Sequence, residues 1–376
     1  MTARILIIAG SDSGGGAGIQ ADIKTVTMLG GHAMTAVTAI TAQNTLGVQA
    51  VHAVPTDMVL AQIDSVVSDI GVDAVKIGMI GSAETAERVA ERLTALTVPI
   101  VFDPVMVATS GSVLADARTI AAFGKLMEIA ALVTPNLPEL DALGGTAPVL
   151  RLGCHLLVKG GHGDGDEIVD QLIAPGGKLR EWRAPRIATT STHGTGCTLA
   201  SAVATGLGQG MSAEAASDRA IGFVRLALRD APGLGSGHGP MGHQRVREDA
   251  MELGASLNQI TLGAIDYAAS VGFYRALGLV QIVDSPVNGY ARFEAANGVT
   301  LSIHAGAASA ATTINLEHRS LDGWVAQLQS DGLTFDQLPQ DENWGWREAR
   351  LTDPAGNSVC LYSAREMRRY PPWRIK

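Results

Sequence analysis

Six short runs rich in Val, Ile and Leu, separated by helical patterns, constrain the first part of the chain more than any other feature. The runs are residues 5–9, 33–40, 74–77, 100–103, 132–134 and 156–159. Helical patterns at 19–29, 58–68, 83–96, 119–130 and 137–143 lie between them, and two more follow at 195–207 and 213–229. Continuous apolar strands alternating with helices predict an α/β fold: a mainly parallel sheet with helices on both faces. Such sheets gather ligands at the carboxyl ends of their strands. Asp12, Gln43, Met79, Asp103, Asn136 and Lys159 fall at or just past those ends.

A shift in composition marks a second domain. All five tyrosines and four of the five tryptophans lie after residue 260. A Gly/Pro-rich stretch at 232–240 precedes a charged segment at 245–252, which reads as loop and linker. The expected division is 1–245, a linker at 246–254, and 255–376. The last part reads as strand 256–264, helix 268–277 and strands near 280–284, 290–295 and 300–304. A similar series follows, with strand 312–318, helix 321–329 and strands near 335–338, 347–352 and 358–362. That is a βαβββ unit used twice, an α+β domain. A net charge of −9 with mixed signs argues against a nucleic-acid partner. Three scattered cysteines make neither a disulfide framework nor a zinc cluster. No run is long enough to span a bilayer, and residues 1–10 lack the features of a signal peptide. A reducing cytoplasm is the expected location.

The chemistry concentrates at His193-Gly194-Thr195-Gly196-Cys197-Thr198. Two glycines open a helix there, and its first amides form an anion site. Cys197 sits on the first turn, where the helix end is expected to lower its pKa. This is the expected site of phosphoryl transfer, with the amides of Gly194 to Cys197 holding phosphoryl oxygens and Cys197 taking or orienting the acceptor's proton. A Cys/His pair with His193 would need the two side chains to face each other, which adjacency does not decide. The loop 10–22 is glycine-dense but is neither GxGxxG nor a Walker A. It reads as a phosphate loop, as a platform for a planar ligand with Asp22 hydrogen-bonding it, or as a plain turn. Gln43 suits a heteroaromatic ring edge or a polar turn. Asp103 suits magnesium or a cap. Asn136 and Glu139 fit a capping box as well as water-mediated magnesium binding. Lys159, against a glycine turn, suits a phosphate.

Taken in order, these motifs resemble the ribokinase-like superfamily, in its hydroxymethylpyrimidine/phosphomethylpyrimidine kinase branch of thiamine synthesis. The segments that carry the resemblance are 13–22, 42–45, Lys76-Ile77-Gly78-Met79, 103–106, 134–139, 159–162 and 192–198. The resemblance implies two ATP-dependent phosphorylations, of 4-amino-5-hydroxymethyl-2-methylpyrimidine and then of its monophosphate. It implies Gly10, Asp22, Gln43 and Met79 at the pyrimidine, and Gly194, Thr195, Gly196 and Cys197 as the catalytic anion hole. Asp103, Asn136 and Glu139 would organise Mg2+ and the ATP phosphates, with Lys159 beside them. It also implies a homodimer. One departure is a short span between Asn136 and Lys159, where Gly144-Gly145-Thr146-Ala147-Pro148 stands in place of a helix. A pyridoxal/pyridoxine kinase and a non-catalytic ligand sensor are the alternatives.

The second domain resembles the glyoxalase/bleomycin-resistance (vicinal oxygen chelate) superfamily, through 273–279, 353–357 and the doubled βαβββ order. Its metal positions would be Gln259, His304, Thr313 and Cys360, a poor donor set. An accessory binding module without metal is therefore expected, a metal-dependent dioxygenase or lyase being the alternative.

Overall fold

The computed structural model describes residues 2–375 apart from 109–110, 164, 247–255, 277–278, 296–297, 306–312, 353–357 and 369–370. Two compact units are present, 1–246 and 247–376. The expected linker, beyond Val246, and the turn at 353–357 lie outside the described residues. Among the described residues no helix is long and apolar enough to cross a membrane.

The first unit runs β1 (Arg4–Asp12), α1 (Gly18–Met28), β2 (His32–Asn44), β3 (Gly47–Ala53), α2 (Thr56–Asp69), β4 (Ala74–Ile77), α3 (Ala83–Leu93), β5 (Ile100–Phe102) and α4 (Ala117–Ile129). It continues with β6 (Leu132–Val133), α5 (Leu137–Ala142), α6 (Thr146–Leu150), β7 (His155–Val158), β8 (Glu167–Ala174), β9 (Gly177–Pro185), α7 (Thr195–Gly208) and α8 (Ala213–Arg229). The sheet order is β3-β2-β1-β4-β5-β6-β7-β8-β9. β2, β1, β4, β5, β6 and β7 pair in parallel, and β3 at one end and β8 and β9 at the other are antiparallel additions.

Period-2 alternation in β1 feeds two cores, one on each face of the sheet. Leu6 and Ile8 pack with Phe102 and Phe123, and Ile5 and Ile7 with Val203 and Phe223. All four β1 residues are fully buried. That is why the strand reads as an unbroken apolar run. α7 is buried from Thr198 to Gly206 because its small residues let neighbours approach closely. A Cβ at Gly206 would lie 2.7 Å from the Ala216 Cβ, and one at Gly208 2.8 Å from Ile5 Cδ1.

Three strands were not expected from the sequence. β3 is largely exposed and carries no apolar run, and the β8–β9 hairpin turns at Pro175-Gly176-Gly177. The span 144–148 does not lack a helix, contrary to expectation. It starts α6, one short turn entered through Gly144 and Gly145 at φ +85° and +89°.

The second unit comprises β10 (Ser256–Ala264), α9 (Tyr267–Ala276), β11 (Val280–Ser285), β12 (Tyr290–Glu294), β13 (Thr300–Ala305), β14 (Thr313–Glu317), α10 (Leu321–Ser330), β15 (Gln337–Asp341), β16 (Arg347–Thr352) and β17 (Ser358–Ser363). The two βαβββ repeats join through the antiparallel β10–β14 pair in one sheet, ordered β11-β12-β13-β10-β14-β17-β16-β15. α9 packs on Ala291, Phe293 and Ile303, and α10 on Ala349 and Leu361.

The four suggested metal positions lie on four neighbouring strands, and among the described residues no group of three or more His, Cys, Asp or Glu is placed to hold a metal. Gln259 is aligned with Asn315, and Asn315 in turn with Cys360, two strand spacings or about 9–10 Å from Gln259. Thr313 aligns with Thr261 and His304 with Gly263, further along β10. Gln259 is occupied by Ser302 and Thr300 (both 3.2 Å). Burial beside Glu348 pushes the Cys360 thiol up to about 12.

Candidate active site

A cleft of about 960 Å³ opens over the carboxyl ends of the parallel strands. From the β2-β1-β4 half of the sheet it is lined by Gly10, Gln43 and Met79, and from the β7-β8-β9 half by Lys159, Asp170 and Trp182. α8 adds Ile221, Val224 and Leu228. Gly194, Thr195, Gly196 and Cys197 close the cleft between these halves.

β1 ends at Asp12, and its carboxylate organises the glycine loop. Oδ1 accepts from Gly14 N (2.8 Å), and Oδ2 from Gly16 N (2.9 Å) and Ala17 N (2.8 Å). His193 Nε2 lies 2.9 Å from the same Oδ2 and 3.1 Å from the Gln43 amide nitrogen. Burial raises the Asp12 pKa, but the hydrogen bonds from His193, Ala17 and Gly14 outweigh it and hold the carboxyl below its ordinary value. These amides serve an internal carboxylate, so the loop is not a phosphate cradle. His193 faces Asp12 and Gln43, so it forms no pair with Cys197.

Asp22 is corrected by the structure. It was expected to contact the pyrimidine, yet it is fully buried, outside the lining of the cleft. It accepts from Lys76 Nζ (2.8 Å) and Ser201 Oγ (2.7 Å). The helical spacing of α1 did not reveal that this carboxylate points inward.

α7 begins at Gly194 with φ +86° and ψ 10°, a left-handed conformation. A Cβ here would lie 2.0 Å from the Gly16 carbonyl oxygen, so glycine is what lets the glycine loop and α7 touch. The Thr198 N–H closes the first turn onto Gly194 O (2.9 Å). The Thr195 N–H turns back to Thr192 O (3.4 Å), while Gly196 and Cys197, which line the cleft, carry N–H groups that precede the helical ladder and can serve as anion donors.

The thiol of Cys197 is also corrected. Burial pushes its pKa up to about 11 instead of down. Lys76 and the Gly18 N–H pull it down, while Asp22 and Asp103 push it up. At neutral pH the thiol is protonated.

Opposite Gly196 stands a cluster from three strand ends. Lys159 Nζ donates to Asp103 Oδ1 (2.7 Å), Thr134 Oγ1 donates to the same oxygen (3.1 Å), and Glu139 Oε2 lies 3.6 Å from Lys159. Asp103 Oδ2 is buried and has no hydrogen-bond partner. A Cβ on Gly196 would lie 3.4 Å from that oxygen and 3.1 Å from Lys159 Nζ, so the anion hole and the charged cluster adjoin. Burial lowers the Lys159 pKa, but Asp103 and Glu139 raise it above the ordinary lysine value overall. Burial pushes the Glu139 carboxyl up. Asn136 and Glu139 form the reciprocal capping box at the start of α5, each bond 2.8 Å. Thr134 and the apolar wall from β9 and α8 escaped the sequence reading. The one tryptophan before residue 300, Trp182, was a usable signal for that wall.

A mainly parallel sheet with a helix-start anion hole beside a buried Asp–Lys pair, in one cleft over the strand ends, defines a small-molecule kinase with the ribokinase-like fold. The chain belongs to the phosphomethylpyrimidine kinase family, whose model matches residues 12–242. Residues 256–361 match the glyoxalase/bleomycin resistance protein/dioxygenase superfamily. A thiamine biosynthesis bifunctional protein of Geobacter sulfurreducens is 45% identical over 263 residues, 66% of this chain and 54% of that one. The chain therefore spans about half the length of that relative. A hydroxymethylpyrimidine/phosphomethylpyrimidine kinase of Streptomyces coelicolor is 46% identical over 253 residues, 64% of this chain and 93% of that one. A Bacillus subtilis pyridoxal kinase solved with ADP superposes with a TM-score of 0.61 at 31% identity, covering 66% of this chain and 100% of that one.

Proposed function

We propose that the first domain transfers phosphoryl groups from ATP to 4-amino-5-hydroxymethyl-2-methylpyrimidine and then to its monophosphate. The observation that carries this reading is the α7 start set against the Asp103–Lys159 pair in one cleft. The 46% identity to a curated pyrimidine kinase, against 31% to the pyridoxal kinase structure, supports the choice of acceptor.

The pyrimidine lies by Gly10, Gln43 and Met79, its hydroxymethyl group toward Cys197. The protonated thiol orients that hydroxyl, with no covalent attachment, while the amides of Gly194 to Cys197 hold the phosphoryl oxygens as charge develops. Lys159 neutralises phosphate charge from the other side. The buried, unpartnered Asp103 Oδ2 fits a hard cation shared with phosphates, and Asp103, Glu139 and Asn136 would organise Mg2+. When bound with ATP, that ion supplies charge neutralisation of the phosphates.

The same reading includes a cytoplasmic enzyme and a homodimer. Free Cys154, Cys197 and Cys360 suit a reducing compartment, and the exposed Ile40, Leu46 and Val51 at the β2–β3 edge suit self-association. The second domain is an accessory binding module.

ADP release at saturating Mg-ATP, with either acceptor varied, tests the choice of substrate. The expected kcat/KM is at least tenfold higher for the pyrimidine alcohol than for pyridoxal. The reverse order overturns the assignment.

A further inference from the structure

Lys76 and Asp22 are both fully buried, on the inner faces of β4 and α1. A lysine in the centre of a parallel sheet is costly, and an apolar residue there would stabilise the fold at least as well. The protein nevertheless makes room for it. A Cβ at Gly78 would lie 2.7 Å from the Lys76 ammonium.

The pair is tied to the anion hole at two points. Asp22 receives Ser201 Oγ, and Ser201 is one α7 turn beyond Cys197, on the same face. Just before α1, the glycine loop touches the start of α7: a Cβ at Gly194 would lie 3.1 Å from Ala17 Cα. Lys76 favours the charged form of the Cys197 thiol more than Asp22 disfavours it. Asp103 and Lys159 adjoin the same first turn of α7 at Gly196, a Cβ there lying 3.4 Å from Asp103 Oδ2 and 3.1 Å from Lys159 Nζ.

We propose that Lys76 is a positioning residue for phosphoryl transfer: held by Asp22, its buried positive charge acts through Cys197 and the first turn of α7 on the phosphoryl group. This rests on the kinase reading above. The charge is fixed before reaction and needs no reorganisation as negative charge gathers. It changes turnover and leaves acceptor binding, which involves Gln43 and Met79, nearly as it was.

The test uses the full chain, with wild type, Lys76→Met and the double variant Asp22→Asn/Lys76→Met measured together for thermal midpoint, kcat and acceptor KM. The double variant removes both charges and is expected to melt within a few degrees of wild type. Its kcat is expected to fall about 10- to 100-fold, with KM within about threefold. A double variant as stable and as active as wild type overturns the proposal, because the pair is then only structural. A rise in KM at unchanged kcat overturns it as well. If the double variant does not melt cooperatively, Lys76→Met alone decides by the same kinetic criteria, since a buried Asp22 can take up a proton. A wild-type chain without turnover removes the kinase reading and this inference with it. An active wild type beside an equally active double variant removes the inference alone.

Discussion

Cys197→Ala lowers kcat about 100-fold while the thermal midpoint stays within a few degrees of wild type. The side chain lines the cleft at the first turn of α7, where misplacing the acceptor by about 1 Å costs on that order. The loss falls in kcat, because the pyrimidine ring contacts are elsewhere. The pH profile separates two roles for the thiol. With its pKa pushed up to about 11, the thiol is protonated throughout the neutral range. An orienting thiol therefore gives a kcat that is flat from pH 7 to 9. A thiolate acting as base would give a kcat rising about tenfold per pH unit across that window, as the small ionised fraction grows. Steady-state rates of wild type and Cys197→Ala over this range decide between them.

Asp103→Asn is expected to lower kcat by about two orders of magnitude and to raise the Mg2+ concentration needed for half-maximal rate. The carboxylate is almost fully buried; one oxygen holds Lys159 and Thr134, and the other is unpartnered toward the anion hole. Asparagine keeps the shape and removes the charge. Lys159 retains Glu139 at 3.6 Å, so the fold survives while the balance of charge around the phosphates is lost. A Mg2+ titration at saturating ATP checks this. An unchanged half-maximal concentration would remove Asp103 from metal organisation.

The parts of the site that sequence reveals are those set by backbone position. Asp103 and Lys159 are 56 residues apart, yet each ends or directly follows a strand of a parallel sheet, and such residues converge by topology. Gly194 and Gly196 before a small-residue run already specify a helix-start anion hole. What sequence does not reveal depends on which way a side chain points. Asp22 reads as a ligand contact in a glycine-rich motif, but its place on α1 turns it inward to Lys76 on β4. His193 adjoins the anion hole in sequence, yet its ring locks the glycine loop through Asp12. The thiol of Cys197 reads from sequence as a group whose pKa a helix end lowers, but burial, the largest cause in the folded chain, raises it. β3 and β9 escaped because edge strands are half solvated and lack the apolar run of central strands, and β8, one strand in from the edge, escaped because it is only partly buried and carries polar residues throughout.

The most direct measurement is phosphorus NMR of the full chain incubated with Mg-ATP and 4-amino-5-hydroxymethyl-2-methylpyrimidine. The account predicts a pyrimidine monophosphate that appears first and declines as the diphosphate grows, with one ADP formed at each step. ATP that stays intact, or ADP that accumulates with no pyrimidine phosphate ester, would contradict it.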